Sequence, residues 1–209
     1  GGELRAFPFC AHRQLGLQPA DVMSPQLLSD LDKLDSRALG SDYLDCLPTN
    51  WLRDGVLTDK NPLNYLYVGL IRKALPAAKI LHIYRNPMDA CFSSYKQLFA
   101  PGAYLHSYNL EDLAQHYAAY TALMAYWRDL YPESLVELSY ESLVGDTEPE
   151  LRRVLASLGL DWDEGVLDFH SRKAGVGTAS FAQVRQPVYA GSVGRWRLFA
   201  EPLQPLAKA

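Results

Sequence analysis

The chain has 209 residues, of which 48% are hydrophobic, and its 20 basic and 24 acidic residues give a net charge of −4. This length and apolar content favour one domain with a substantial core. Because both signs of charge are interspersed, the sequence gives no sign of a nucleic-acid surface or a polybasic membrane patch. No apolar run approaches the roughly 18 residues of a membrane span. We therefore predict no nucleic-acid partner and no membrane span.

Three cysteines, Cys10, Cys46 and Cys91, form neither a CxxC pair nor a zinc spacing. A sparse, odd set argues against a disulfide framework and fits a reducing compartment, so we expect a cytoplasmic protein. The histidines are scattered, and no metal site is predicted. The chain opens Gly-Gly-Glu-Leu without an initiator Met or a capped element, from which we expect an N-terminal truncation.

Hydrophobic spacing predicts a mainly helical N-terminal part after an irregular start over residues 1–20. Ser24 before Pro25 is a typical N-cap and first helical residue. The predicted elements are a helix over 25–34, a partly helical segment over 36–50, a short strand over 55–59 and a helix over 61–75.

Strands and helices alternate in the rest of the chain, which predicts an α/β sandwich around a parallel sheet. The continuous apolar run from Ile80 to Tyr84 is typical of a strand buried on both faces. The other predicted elements are a helix opening at Pro87, a long helix over 110–130, a strand over 134–139, a helix ending before Gly159, a long ordered loop over 171–194 and a short terminal helix or turn over 196–206.

The segment from Lys79 to Leu98 carries the strongest functional signal. Arg85 ends a predicted strand, and in α/β sheets ligands bind beyond the carboxyl ends of the strands. Ser93 lies in the following helix, whose N-terminus favours anions. An arginine fork, a hydroxyl and a helix N-terminus together suit a phosphate. The alternative is that Arg85 pairs with Asp89 and that Ser93 is an ordinary helix residue.

The same segment resembles the 3′-phosphate-binding segment of sulfotransferases, which use 3′-phosphoadenosine 5′-phosphosulfate. The family pattern is an apolar strand, then Arg-x-Pro-x-Asp, then Ser eight residues after the Arg. Arg85, Pro87, Asp89 and Ser93 match it. Further blocks follow in the family's order, namely Thr58–Asn64, Tyr140-Glu141-x-Leu143, the loop Thr178–Tyr189 and Gly194-Arg195-Trp196. They are closest to bacterial sulfotransferases linked to tetratricopeptide repeats and to tyrosylprotein sulfotransferases.

This resemblance implies a set of residues that bind the nucleotide co-substrate, with no metal: Arg85, Ser93, Tyr140, Ser180, Gln183, Val184, Arg185 and Arg195. A structural interpretation stays open for three residues. Arg195 could be a solvated surface charge, Trp196 could be an anchor in the core, and Tyr140 could be a core tyrosine whose hydroxyl is hydrated.

Glu3, Arg5 and Pro8 match the segment that carries the catalytic base in tyrosylprotein sulfotransferases. The resemblance implies that Glu3 takes the proton of the acceptor and that Arg5 binds the substrate. At position 9 that family has a basic residue, whereas this chain has Phe9. This difference departs from the pattern by which the family recognises a peptide-like acceptor. The alternative is that Glu3 is a frayed surface residue. Lys60 either forms a structural ion pair or lines the cleft.

The family's loop for the 5′-phosphosulfate, which binds through backbone N–H groups, has no counterpart in the sequence. We therefore expect an α/β fold of the phosphate-loop type, a three-layer sandwich with a parallel sheet, without its first strand and this loop. The whole chain, 1–209, would be one incomplete sulfotransferase domain that is inactive or weakly active.

The leading hypothesis is transfer of a sulfuryl group from the nucleotide to a hydroxyl or amine of a small-molecule or peptide acceptor. One alternative is another nucleotide-dependent transferase of the kinase type, which would need magnesium. The other is a non-catalytic module that binds a nucleotide or a protein.

Overall fold

A computed structural model describes residues 2–20, 22–48, 55–100, 102–168 and 190–207. The chain divides into two compact units, Gly1–Ala78 and Lys79–Ala209. The described part of the first unit is built from helices, and the second unit combines helices with a small parallel sheet. This mixture of helices and a parallel sheet is consistent with the α/β fold class. The assignment of residues 1–209 to one domain stays a prediction.

Short helices with well-formed N-caps build the first unit. Ser24 accepts a hydrogen bond from the Leu27 backbone N–H at 3.1 Å, and Pro25 occupies the first helical position, as predicted. The α-helices are α1 Ala6–Gln14, α2 Pro25–Ser29, α3 Ser36–Asp45 and α4 Val68–Ala74, with short 3-10 helices over Leu31–Lys33 and Pro62–Tyr67.

Two predictions for the first unit are wrong. Residues 1–20 are not irregular throughout, because α1 begins at Ala6. Pro8 is tolerated in its first turn, where backbone N–H groups have no partner within the helix. Residues 55–59 form no strand, and in the described part they contribute only an isolated bridge between Gly2 and Asp59. The short apolar run was therefore no sufficient sign of a strand.

The core of the first unit is aromatic and tightly packed. The Phe7 ring meets the rings of Tyr43 and Tyr67 edge to face, with centroids 5.6 and 6.2 Å apart. A Cβ on Gly40 would lie 2.2 Å from the Ala74 carbonyl oxygen. Glycine at this position therefore lets α3 and α4 approach closely.

The second unit contains the predicted strands and the long helix. Strands β1 Ile80–Tyr84 and β2 Leu135–Ser139 run parallel, in a register that pairs Ile80 with Leu135 and Tyr84 with Ser139. Both strands therefore end at the same edge of the sheet. The α-helices are α5 Pro87–Tyr95, α6 Leu110–Leu130, α7 Tyr140–Gly145, α8 Thr147–Leu158 and α9 Gln204–Ala207, with 3-10 helices over Leu105–Tyr108, Glu164–Val166 and Arg195–Phe199.

Strand β1 is not buried on both faces, contrary to the expectation from its apolar run. Leu81 is 39% exposed and Ile83 is 56% exposed. His82, on the opposite face, packs against the Tyr120 ring of α6. Side chains alternate between the faces of a strand, so hydrophobicity alone did not tell which face is covered.

Candidate functional site

A basic and an aromatic side chain meet where the two parallel strands end. Arg85 directly follows β1, and Tyr140 directly follows β2. The centre of the Arg85 guanidinium lies 4.9 Å from the centroid of the Tyr140 ring. Such a cation–π contact orients the guanidinium plane. The edge at which α/β sheets bind ligands is therefore occupied by an oriented arginine.

The donors of Arg85 are only partly used. One Nη atom donates to the backbone carbonyl of Ser192 and lies 3.8 Å from a carboxylate oxygen of Asp89. Its Nε is buried without a hydrogen-bond partner among the described residues. An unpaired buried donor is costly, more so on a charged group. An anion bound at this guanidinium would remove that cost.

Asp89 anchors a later segment of the chain to helix α5. Its side chain is 1% exposed, and its two oxygens accept hydrogen bonds from the backbone N–H groups of Gly194 at 2.6 Å and Trp196 at 3.1 Å. Gly194 has a φ of +70°, which glycine adopts without strain. This anchor places Arg195 beside the Arg85 turn.

Two further contacts join the same segments. The Tyr140 hydroxyl lies 3.0 Å from the Ser192 Oγ. The Glu141 carboxylate accepts a hydrogen bond from the Asn86 backbone N–H at 2.9 Å and another from the Ser139 hydroxyl at 3.1 Å. The structure thus brings together three of the sequence blocks that carry the resemblance: the Arg-x-Pro-x-Asp turn, the Tyr-Glu-x-Leu block and the Gly-Arg-Trp block.

Ser93 lies deeper in its helix than expected. It is the seventh residue of α5, and the N–H groups of Met88 and Asp89 at the helix start are already bonded to the Asn86 side chain. Because dipole effects fade beyond the first turn, the helix N-terminus adds little at Ser93. Ser93 instead follows Asp89 by one turn on the same helix face, where it is exposed.

Arg195 is exposed and has no ion-pair partner in the described part of the chain. Its neighbour Trp196 is half-buried and packs against the core formed by α5, α6 and α9. The prediction that Trp196 anchors this segment in the core is confirmed. The exposed position of Arg195 fits both a solvated charge and a residue that contacts a ligand.

Four of the predicted cofactor-binding residues lie outside the described residues. They are Ser180, Gln183, Val184 and Arg185. Their assignment stays a prediction.

In the first unit, the residues around Glu3 are tied to the segment that follows Asp59. The Glu3 carboxylate forms an ion pair with the Lys60 ammonium, and both side chains are exposed. The Leu4 N–H donates to the Asp59 carboxylate at 3.3 Å, and the Asn61 amide donates to the Leu4 carbonyl at 3.0 Å. Of the two roles considered for Lys60, the structure shows the ion pair.

Asp59 is the half-buried centre of this arrangement. Its second oxygen accepts a hydrogen bond from the Tyr43 hydroxyl at 3.1 Å. Burial raises the pKa of the Asp59 carboxyl and also that of the Tyr43 hydroxyl. Asp59 therefore fixes the Glu3 segment to the core. Arg5 is exposed at the position that precedes α1.

His82 is a structural residue. Its ring nitrogens contact the Glu137 carboxylate at 3.2 Å and the Tyr120 hydroxyl. Burial lowers its pKa and outweighs the opposing effect of Glu137. No group of three or more potential metal ligands occurs within the described residues, and none of the described helices is long and apolar enough to cross a membrane.

Sequence reasoning missed the contacts made by Ser192 and Glu141 and the anchoring role of Asp89. Asp89 was recognised as part of the Arg-x-Pro-x-Asp pattern and as a partner for Arg85, but not as the acceptor for backbone N–H groups of a distant segment. Ser192 contributes its backbone carbonyl to the contact with Arg85. Because every residue has a backbone carbonyl, the residue type gave no sign of this contact.

The fold and this site define a class: an α/β protein with an arginine at the carboxyl ends of parallel strands, whose buried Nε has no hydrogen-bond partner among the described residues. The chain belongs to the sulfotransferase family, whose sequence model matches residues 7–164. Arg85, Ser93 and Tyr140 lie inside the matched range, whereas Glu3 and Arg195 lie outside it. Family membership supports a transferase and does not favour the kinase-like or non-catalytic alternatives.

The chain is also 32% identical over 198 residues to an uncharacterized protein of Aquifex aeolicus (strain VF5). The match covers 94% of this chain and 26% of that protein. The chain therefore spans about a quarter of the length of the curated relative that it matches.

Proposed function

We propose that this chain binds 3′-phosphoadenosine 5′-phosphosulfate for transfer of its sulfuryl group to a hydroxyl or amine acceptor, with weak transfer by the chain itself because its sequence has no counterpart of the family's 5′-phosphosulfate loop. The observation that supports this most is the Arg85 guanidinium, held at the strand ends with a buried donor unpaired in the described structure. A 3′-phosphate would accept from that donor and from a neighbouring Nη in a bidentate manner.

Other residues complete the proposed nucleotide site. Ser93 offers a hydroxyl one turn beyond Asp89, and Arg195 offers a second cation on the anchored segment. Tyr140 orients Arg85 and contributes to the adenosine region. Ser180, Gln183, Val184 and Arg185 would cover the nucleotide, an assignment that rests on the sequence resemblance.

The chemical step is a displacement at sulfur. The acceptor oxygen or nitrogen forms a bond to sulfur, the bond from sulfur to the 5′-phosphate oxygen breaks, and adenosine 3′,5′-bisphosphate leaves. The acceptor proton passes to the Glu3 carboxylate, which Lys60 holds in place. Arg5 would bind the acceptor, a small molecule or a peptide. The roles of Glu3 and Arg5 rest on the resemblance.

A transfer assay with the radiolabelled sulfuryl donor and a panel of phenols, sugars, amines and tyrosine peptides tests the activity. We expect transfer that a metal chelator does not reduce, because no step of the displacement requires a metal ion. If transfer required magnesium and ATP served as donor, the kinase-like alternative would replace this proposal.

Binding is tested separately by calorimetric titration with adenosine 3′,5′-bisphosphate and its 2′,5′ isomer. We expect tighter binding of the 3′,5′ isomer and loss of most of this difference in Arg85→Ala. Arg152→Ala is the matched control, since Arg152 pairs with Glu148 on the exposed surface of α8. Equal binding of both isomers to the unsubstituted protein would contradict the proposed site.

A further inference from the structure

Two of the three cysteines are neighbours in the folded first unit. The Sγ atoms of Cys10 and Cys46 lie 3.6 Å apart, although the residues are 36 positions apart in sequence. Cys10 is on α1, and Cys46 is the residue that caps the end of α3. An S–S bond is about 2.05 Å long, so the sulfurs need to approach by about 1.5 Å.

The pair is accessible from a cavity. Cys10 and Cys46 both line a surface cavity of about 520 Å³, together with Ala6, Phe9, Arg13, Gly16, Leu17 and Pro19. Cys46 is exposed, whereas Cys10 is 2% exposed. A small reagent can therefore reach Cys46 first, with Cys10 directly behind it.

Arg13 gives this cavity a positive group. Its Nη2 lies 3.8 Å from the Cys10 Sγ and 3.4 Å from an Asp42 carboxylate oxygen, and its side chain is 60% exposed. Arg13 therefore lines the cavity as one member of an ion pair, with its guanidinium next to a thiol sulfur, where it stabilises negative charge that develops on that sulfur.

We propose that Cys10 and Cys46 form a redox-active dithiol site that reacts with small disulfides, such as oxidised glutathione. The Cys46 thiolate attacks one sulfur of the disulfide, forms a mixed disulfide and releases one thiolate, which takes up a proton. Cys10 then loses its proton to solvent and attacks the Cys46 sulfur. The second small thiolate leaves, so the protein loses two electrons and the reagent is reduced to two thiols.

The environments of the two thiols support this order. Burial, and then the neighbouring Cys46, raise the pKa of Cys10 to about 12. Cys10 is therefore a poor first nucleophile. It reacts only when the adjacent sulfur already carries a good leaving group.

The test is treatment of the full chain with oxidised glutathione, followed by intact-mass measurement and peptide mapping under non-reducing conditions. We expect a Cys10–Cys46 crosslinked peptide, a mass lower by two hydrogen atoms, and Cys91 still free. The crosslink closes a loop of about 35 residues, so the melting temperature of the first unit should rise by roughly 10–30 °C.

Variants separate the steps. Cys10→Ala should trap the mixed disulfide on Cys46, and Cys46→Ser should block both products. Because Cys46 is exposed, Cys46→Ser should fold normally, so its result is informative even if the core variant unfolds. Three free thiols in the treated protein, or a glutathione adduct on Cys46 that persists in the unsubstituted chain, would overturn the proposal.

Discussion

Two ion pairs carry the proposed chemistry, and they differ in burial. In Glu3–Lys60, the side chains are 47% and 62% exposed. In Asp89–Arg85, they are 1% and 22% exposed. An exposed pair contributes little to stability and leaves its carboxylate accessible. A buried pair needs further hydrogen bonds, and the Gly194 and Trp196 N–H groups supply them.

The contrast separates two tasks. The buried pair organises the proposed binding site and couples it to folding, whereas the exposed pair presents the Glu3 carboxylate to solvent and contributes little to stability. Substitutions at the two pairs should therefore affect different measured quantities.

The substitution Glu3→Gln should have the largest effect of all, and this effect should be on turnover. If Glu3 is the base, the rate of sulfuryl transfer should fall about 100-fold or more, because the acceptor proton has no carboxylate to receive it. The melting temperature should change little, since the pair is exposed. Rate measurements at saturating donor check this, with Glu148→Gln as a control from another exposed ion pair. Unchanged turnover would remove Glu3 from the mechanism.

Asp89→Ala should have the largest effect on stability. It leaves Arg85 without its carboxylate partner and two backbone N–H groups without acceptors, which should cost about 3 kcal/mol. Urea denaturation followed by tryptophan fluorescence measures this cost. The exposed Asp129→Ala should stay within about 0.5 kcal/mol of the unsubstituted protein. Similar costs for both variants would show that Asp89 is not an anchor.

Arg195→Ala should weaken nucleotide binding without affecting folding. Losing one exposed cation near a phosphate should raise the Kd for adenosine 3′,5′-bisphosphate about 3- to 10-fold at low salt and less at high salt. Arg197→Ala is the control, because Arg197 is exposed in the same 3-10 helix and lies 5.7 Å from the Trp196 ring centroid. An equal effect of both variants would mean that only net charge matters.

The smallest expected effect is a loss of stability at acidic pH. Burial lowers the pKa of His82, His106 and His116 in the folded second unit. The unfolded chain then binds more protons, so stability should fall as the pH drops through about 6.5 and level off below the folded pKa values. Urea midpoints between pH 8 and 5 measure this, and His116→Asn should flatten the profile. A stability that increased toward pH 5 would contradict the burial of these rings.

The sequence was most informative where one strong local signal decided the structure. The long helix over Leu110–Leu130 and both strands of the sheet follow from periodicity and from flanking prolines. The Arg85 turn was predictable because Asn86-Pro87 is a strong helix start.

Predictions failed where tertiary contacts overrode local pattern. Helix α1 was hidden by a proline that its first turn tolerates. At Asp59 the described backbone forms one bridge, to Gly2, and whether a short apolar run pairs into a strand depends on such a distant segment rather than on the run itself. The proximity of Cys10 to Cys46 likewise arises from helix packing and has no signal in residue spacing.

The central claim is that Arg85 recognises the 3′-phosphate. Its most direct test compares the affinities for adenosine 3′,5′-bisphosphate and adenosine 5′-phosphate in the unsubstituted protein and in Arg85→Ala. We expect a preference of at least roughly 10- to 100-fold for the bisphosphate, as one charge-assisted contact provides, and no more than the roughly 3- to 10-fold contribution of Arg195 in the variant. If Arg85→Ala kept the preference, the 3′-phosphate would be bound elsewhere and the account would be wrong.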